Sequence, residues 1–196
     1  MIDHFLLGVP SLATAVPLFE SLTGVRPVFG GRHPNRGTEN ALLSLGDGIY
    51  LELIAPQPEP DAYDDLVHRL LALTEPRLVW WAARTTDIAA LRDRLGEGEL
   101  RPGARLTPEG ARLEWTTLAP TLPRAPFFIE WGAGTVHPSM SAPRGCSLVS
   151  FDVADPDAAT LNALLRAGEV GVEAGEGRAE LRLTISTDRG ELRFTS

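Results

Sequence analysis

Residues 30–56 read GGRHPNRGTENALLSLGDGIYLELIAP, and this stretch decides the predicted fold. It begins as a loop rich in Gly and Arg and continues as two strands joined by a Gly-Asp-Gly turn at 46–48. In the second strand, residues 49–55, the odd positions are apolar and share one face, whereas Glu52 lies on the other face. Burying an unpaired carboxylate costs several kcal/mol, so Glu52 should face a metal, a cation or a water-filled cavity.

Size, charge and cysteine content exclude several classes of protein. The chain of 196 residues suits one domain, and its 43% of apolar residues can form a sizeable core. No run reaches the roughly 18 apolar residues of a membrane span, and residues 1–10 predict a strand rather than a signal peptide. A net charge of −8 without a basic run argues against a nucleic-acid partner. Cys146 is alone and cannot form an internal disulfide, so we expect a cytoplasmic protein.

The order β-α-β-β-β recurs three times along the chain, by pattern and not by identity. We predict a first module at 1–56, a linker helix at 57–77, a second module at 78–145 and a third at 146–196. The fold is therefore predicted to be α+β, with the modules forming curled mixed sheets or an open barrel. Because three modules are an odd number, we expect the spare one to pair across a homodimer or to displace a partner module.

Two further strands offer ionisable groups in the way that Glu52 does. His4 lies opposite the apolar face of the strand at 2–9, and Glu130 lies opposite the apolar positions of the strand at 127–131. One His and two Glu are a suitable ligand set for a divalent metal that keeps positions open for substrate. The alternative for each residue is a solvated side chain or an ion pair with Arg, and both interpretations remain open at this point.

These residues carry a resemblance. Ile2-Asp3-His4 opens a βαβββ module and Tyr50-Leu51-Glu52-Leu53-Ile54 closes it, as in the vicinal oxygen chelate superfamily of glyoxalase I, extradiol dioxygenases, epimerases and antibiotic-resistance proteins. Within that superfamily, the stretch at 30–56 and the PFFIEW segment at 126–131 resemble the glyoxalase-like domain family. The resemblance covers the first 132 residues well and extends to the third module by topology only.

The resemblance implies a metal centre between two paired modules. In the superfamily, a His of the first strand and a Glu of the fourth strand in each module hold the metal. It therefore implies His4, Glu52 and Glu130 as metal ligands, with Glu52 or Glu130 as catalytic base. The fourth ligand is missing, because Trp80 stands at the position of the second His.

Water, His33 or His137 would complete this centre around Zn, Fe, Mn or Ni, or else the metal has been lost. Arg32 and His33 also lie in a loop that can close over an anionic substrate, since Arg pairs well with carboxylates. The residues predicted to contact a small-molecule substrate are Arg32, His33, Tyr50, Trp80 and His137. A solvated loop or a place in the core is the alternative for each of them.

Two functions of different classes follow from these observations. The first is a metal-dependent lyase, isomerase or dioxygenase that acts on a small oxygenated substrate. The second is a small-molecule-binding protein that keeps the cavity without a metal and without catalysis.

Overall fold

A computed structural model describes residues 1–196, which form twelve strands and five helices. The strands are β1 (Ile2–Gly8), β2 (Val28–His33), β3 (Thr38–Gly46), β4 (Ile49–Pro56), β5 (Arg77–Arg84), β6 (Leu100–Leu106), β7 (Arg112–Leu118), β8 (Phe127–Trp131), β9 (Cys146–Asp155), β10 (Ala174–Glu176), β11 (Glu180–Thr187) and β12 (Gly190–Thr195). The helices are α1 (Leu12–Thr23), α2 (Asp65–Leu71), α3 (Ile88–Leu95), α4 (Pro138–Ser141) and α5 (Ala158–Ala167). None of them has the length and apolar character needed to cross a bilayer.

The first eight strands form one mixed sheet in the order β2-β3-β4-β1-β5-β8-β7-β6. Strand β1 lies at its centre, parallel to β4 on one side and antiparallel to β5 on the other. Each half of the sheet thus comes from one βαβββ segment, and the two halves meet at the β1–β5 pair. This architecture confirms the predicted α+β fold with curled mixed sheets.

The sheet curls so far that its two edge strands, β2 and β6, approach each other. The Arg105 guanidinium of β6 donates a hydrogen bond to the Gly30 carbonyl of β2. Gly31 lies so near to β6 that a Cβ at this position would be 2.5 Å from the Leu106 carbonyl oxygen, and its φ of +141° also disfavours a side chain. The sheet is therefore nearly closed around an interior cavity.

A second sheet, in the order β10-β9-β11-β12, packs against the outside of the first. Phe151 of β9 lies with its ring centroid 4.8 Å from those of both Phe5 and Trp81. Phe194 of β12 stacks on Phe19 of α1 at 5.7 Å. These contacts make one continuous core of 30 buried residues, so the third βαβββ segment is packed against its own chain.

Alternation along β1 and β4 assigns the two faces of the sheet as the sequence predicts. Leu51 and Leu53 of β4 are buried in the core with Phe5 and Leu7 of β1, whereas Glu52 faces the cavity. A β-bulge between Ile2 and His4 shifts the start of β1, so Ile2 packs on the core side and does not share the face of His4.

The linker helix is shorter than the sequence suggests. The helix was predicted within residues 57–77, but α2 begins at Asp65, after an Asp64 cap whose side chain accepts from the Val67 amide at 3.0 Å. Asp61 instead accepts hydrogen bonds from the Asn35 and Gly37 amides at 3.0 and 2.8 Å. These backbone hydrogen bonds lower the pKa of Asp61, and they hold the turn that follows β2.

Substituting Gly103 with Ala should destabilise the protein. A Cβ at Gly103 would lie 2.3 Å from Nε1 of Trp115 on the neighbouring strand β7, so the indole must move. We expect a loss of about 1–3 kcal/mol in the free energy of unfolding, because overpacking forces side chains from their rotamers. Urea unfolding followed by Trp fluorescence measures it.

The matched control is Gly175→Ala in β10, where no atom lies within 4 Å of the added Cβ. Equal unfolding free energies for the two variants would contradict the close contact between Trp115 and the backbone of β6.

Candidate active site

The curled sheet encloses a cavity of about 1770 Å³ between its two halves. The first half contributes mostly polar side chains to the wall, namely His4, His33, Asn40, Tyr50 and Glu52. The second half contributes four aromatic side chains, namely Trp80, Trp115, Phe127 and Trp131, together with charged residues such as Arg105. Helix α2 closes one end, where Leu70 packs on Leu6 and Ile54.

His4 lies in the wall of this cavity with its ring fixed on both sides. The Tyr50 ring stacks on it at a centroid distance of 4.5 Å, and Phe127 meets it edge-on at 5.5 Å. Nδ1 of His4 lies 2.6 Å from Oδ1 of Asp3, and since an ionised carboxylate only accepts, Nδ1 carries a proton. Nε2 is therefore the ring atom that is left for chemistry.

Glu52 provides the second reactive group. Its Oε2 lies 3.5 Å from Nε2 of His4, and its side chain is almost completely buried. Its Oε1 accepts a hydrogen bond of 2.6 Å from Nδ2 of Asn40 in β3. The carboxylate that the sequence singled out thus has an amide donor on one oxygen and an imidazole beside the other.

His33, at the end of β2, lies next to this pair. Its Nε2 is 3.8 Å from Oε1 of Glu52 and 3.3 Å from Nδ2 of Asn40, and its Nδ1 is 2.8 Å from Thr38 Oγ1. Burial lowers the pKa of His33, and the charge of Arg105 adds to this effect, while Glu52 opposes it. A neutral ring with its proton on Nδ1 satisfies both contacts, because Nε2 then accepts from the Asn40 amide.

Asp3 lies behind His4 and is completely buried. Its Oδ2 accepts from Trp131 Nε1 at 3.1 Å, lies 3.0 Å from His137 Nε2, and forms an ion pair with Arg84 at 3.0 Å. Burial alone would raise the pKa of Asp3, but the hydrogen bonds with His137 and His4 outweigh it and hold that pKa well below its usual range. Asp3 is therefore a permanent anion that orients His4.

Tyr50 remains a protonated phenol in this environment. Burial raises its pKa well above the usual value, and the negative charges of Asp3 and Glu52 raise it further. The ring contributes its face to His4 and its edge to the His137 ring at 5.5 Å.

The structure does not bring Glu130 to His4 and Glu52. Glu130 borders the cavity, but its Oε2 accepts a hydrogen bond of 2.8 Å from the Ile88 amide at the start of α3. The face assigned to β8 from the sequence was wrong: Phe127, Ile129 and Trp131 line the cavity, whereas Phe128 is buried in the core. Glu130 therefore serves the N-terminus of a helix, where a negative charge is favourable.

The other predicted contacts divide into two groups. His33, Tyr50 and Trp80 line the cavity, and the Trp80 indole donates to the Ala125 carbonyl at 2.9 Å. Arg32 is exposed and lies 3.4 Å from Glu39, outside the cavity. His137 is also outside the cavity wall, where it holds Asp3 and caps α4.

Three residues of the site were not predicted as site residues from the sequence, namely Asp3, Asn40 and Arg105. Asn40 had a usable signal, because β3 pairs antiparallel with β4 and alternation places Asn40 on the face of Glu52. Asp3 is adjacent to His4, but the β-bulge that turns its side chain inward leaves no mark in the pattern. Arg105 had no local signal, since its partner Gly30 is 75 positions away.

The residues present do not fit the four-ligand metal centre of the superfamily. His4 and Glu52 occupy one half of such a centre. Trp80 and the apolar face that β8 turns to the cavity leave the other half of the centre apolar. Asn40 also directs an N–H donor at Glu52, where a metal needs a lone pair. No group of three or more His, Cys, Asp or Glu side chains is arranged to hold a metal ion.

Comparison with known proteins agrees with this fold. A family model described as a glyoxalase-like domain matches residues 2–168, and no curated protein matches the chain. A hypothetical protein from Staphylococcus aureus has a similar structure over 99% of this chain and 84% of its own, with 15% identity and a TM-score of 0.64.

Two methylmalonyl-CoA epimerases are more distant in structure. The alignment with the enzyme from Mycobacterium tuberculosis covers 66% of this chain and 85% of that enzyme's chain, with 21% identity and a TM-score of 0.48. The alignment with a variant from Streptomyces coelicolor in complex with 2-nitronate-propionyl-CoA covers 69% of this chain and 96% of that enzyme's chain, with 21% identity and a TM-score of 0.49. At these identities the likeness is one of fold and does not extend to activity.

Replacing Asp3 with Asn should change the acid stability of the protein. The folded-state pKa of Asp3 lies below its unfolded value of about 3.9, so its contribution is complete above that pH and is lost as the pH falls towards the folded-state pKa. We expect the variant to lose on the order of 3–5 kcal/mol at neutral pH and to show a flatter decline below pH ~4. Urea unfolding at a series of pH values measures both effects.

Asp152→Asn is the control, because Asp152 is an exposed carboxylate on β9. Parallel stability curves for wild type and Asp3→Asn below pH ~4 would contradict the depressed pKa of Asp3.

Proposed function

This chain belongs to the glyoxalase-like domain family, and from this premise we propose that it binds a small oxygenated compound in its cavity and moves a proton of that compound. The observation that carries the proposal is the 3.5 Å approach of His4 Nε2 and Glu52 Oε2 in the cavity wall. The reaction would be of the lyase or isomerase type.

The residues behind the pair support an acid–base role. Asp3 holds His4 with Nε2 directed at Glu52, and Asn40 holds the other oxygen of Glu52. In the proposed step His4 carries a proton on each ring nitrogen. Glu52 Oε2 takes a proton from a carbon next to a carbonyl group, and the Nε2–H of His4 donates a hydrogen bond to the oxygen of the resulting enolate. Returning the proton to a different atom or face completes the reaction, so no proton is gained or lost.

Dioxygenase chemistry is the branch of the sequence-based hypothesis that the site supports least. It depends on a redox metal, and the donor atoms found here do not surround one point. The proposal therefore contains no step through a metal.

The second candidate is a binding protein without catalysis. It is favoured by the aromatic character of the second half of the wall, where Trp80, Trp115, Phe127 and Trp131 offer contact area but no acid or base. The two candidates differ in one measurable respect, which is proton exchange on a bound carbonyl compound.

A homodimer and a cytoplasmic location remain proposals. The dimer was predicted because a third module seemed to lack a partner within the chain. The packing of β9–β12 on the core of the same chain removes that reason, while the single buried Cys146 still agrees with a reducing compartment.

Glu52→Gln should abolish proton exchange. We expect the wild type, in D₂O with a series of 2-oxo acids, 2-hydroxy acids and 2-oxo aldehydes, to exchange the C–H next to the carbonyl of at least one compound. The variant should be slower by at least about 100-fold, because it lacks the base. Proton NMR follows the loss of the C–H signal.

Glu130→Gln is the matched control and should exchange at the wild-type rate, since Glu130 binds the start of α3. If the wild type binds one of these compounds but exchanges no proton, the protein is the binding protein of the second candidate.

Metal removal should leave the protein unchanged. We expect protein purified without chelator to contain far less than one divalent metal ion per chain, with the same urea midpoint in EDTA, because only one half of a metal centre is present. Elemental analysis and unfolding curves measure this. One metal per chain that disappears in a His4→Ala, Glu52→Ala double variant but remains in Glu130→Ala would overturn the metal-free site.

A further inference from the structure

Arg105 of β6 is a buried cation in the cavity wall without a carboxylate partner. Only 5% of the residue is exposed, and it lines the cavity. One nitrogen, Nη1, donates to the Gly30 carbonyl, and no acidic side chain forms an ion pair with it. A guanidinium has five N–H donors, so most of its hydrogen-bonding capacity remains unused.

The backbone of β2 is shaped to admit this side chain. A Cβ on Gly31 would lie 3.3 Å from Arg105 Nη1, and a Cβ on Gly30 would lie 2.4 Å from Asn40 Oδ1. The Gly-Gly pair thus opens one slot that holds both Arg105 and the amide that supports Glu52. No dinucleotide-type phosphate motif is needed to explain these two glycines.

No negative side chain lies close enough to Arg105 to form an ion pair with it. Burial lowers its pKa, and the negative charge of Glu52 opposes this effect, although no ion pair joins the two side chains. Arg stays charged at neutral pH even so. The neighbouring cations at the rim behave differently, because Arg101 and Arg112 are exposed and lie 3.2 and 2.7 Å from Glu99 and Glu114.

We propose that Arg105 binds the carboxylate of the substrate, and that the substrates of this site are organic acids with an apolar or aromatic body. A carboxylate accepts two parallel hydrogen bonds from a guanidinium, which matches the unused donors of Arg105. The body of the acid lies against Trp115 and Trp131, whose rings form part of the wall at a centroid distance of 5.7 Å.

This assignment rests on the proposed function for the position of the reacting carbon. With the carboxylate on Arg105, the adjoining oxygenated carbon would lie in the cavity that Arg105 lines together with Glu52 and His4. Binding of the acid does not itself depend on proton transfer, so the two can fail separately.

The alternative is that Arg105 only clamps the edges of the sheet through Gly30. A clamp stabilises the protein and affects all ligands equally. An anion site distinguishes a carboxylate from its neutral ester.

The experiment compares phenylglyoxylate, an aromatic 2-oxo acid, with its methyl ester by isothermal titration calorimetry. We expect the wild type to bind the acid at least about tenfold more tightly than the ester, because a charge-assisted bidentate contact is lost in the ester. Arg105→Gln should lose this preference while its affinity for the ester stays the same. Arg101→Gln, the control on the same strand, should keep the preference.

Two measurements keep the test decisive if Arg105→Gln folds poorly. The ratio of the affinities for acid and ester in the wild type needs no variant. Arg105→Lys keeps the positive charge but lacks the paired N–H donors of the guanidinium, so it should retain only part of the preference for the acid. Equal binding of acid and ester by the wild type, no binding of the acid, or equal weakening of both ligands in Arg105→Gln overturns the proposal.

Glu52→Gln separates this inference from the proposed function. The variant should still prefer the acid, even though it no longer exchanges protons. Preference for the acid without exchange in the wild type would retain the Arg105 site and reject the catalytic role of Glu52.

Discussion

The buried charge of Asp3 is the constraint on which the rest of the site depends. Its two oxygens contact His4, Trp131, His137 and Arg84, which come from β1, β8, the segment before α4 and β5. A carboxylate with no exposure is tolerated only when donors replace its water, and here they do so from both halves of the sheet. The same contacts that satisfy the charge therefore join the two halves and fix the tautomer of His4.

The two halves have similar strand orders but different roles. The first half carries the ionisable and amide groups around Glu52, and the second half carries indole and phenyl rings together with Arg105. This asymmetry arises at two positions: Trp80 faces the cavity on β5, and the Glu130 carboxylate of β8 binds the start of α3 instead of approaching His4 and Glu52. The first half thus holds the proposed acid and base, and the second half offers an apolar surface with one buried cation.

Sequence alternation was reliable where a strand has one polar and one apolar face. In β4 it assigned Leu51, Leu53 and Glu52 to their sides, and from this the fold class and the His4–Glu52 pair could be predicted. It failed in β8, because that strand is apolar on both faces: one packs on the core and the other forms the aromatic wall. A single Glu in such a strand does not show which side faces the ligand.

Residues that act through distant partners could not be found from local pattern at all. Arg105 depends on Gly30, and Asp3 depends on Trp131 and His137, with 75 to 134 positions between the partners. Their partners become neighbours only when the sheet curls, which is a property of the whole chain and not of any window of sequence.

Part of the cavity wall is formed where the two edge strands, β2 and β6, approach each other. The two strands are the ends of the sheet and share no ladder of backbone hydrogen bonds, so the Arg105 side chain bridges them alone. Separating these edges breaks one hydrogen bond and unfolds no strand, which makes local opening at this line far easier than elsewhere in the sheet. A ligand carboxylate that binds Arg105 would therefore lie beside the least strongly bonded line of the cavity wall.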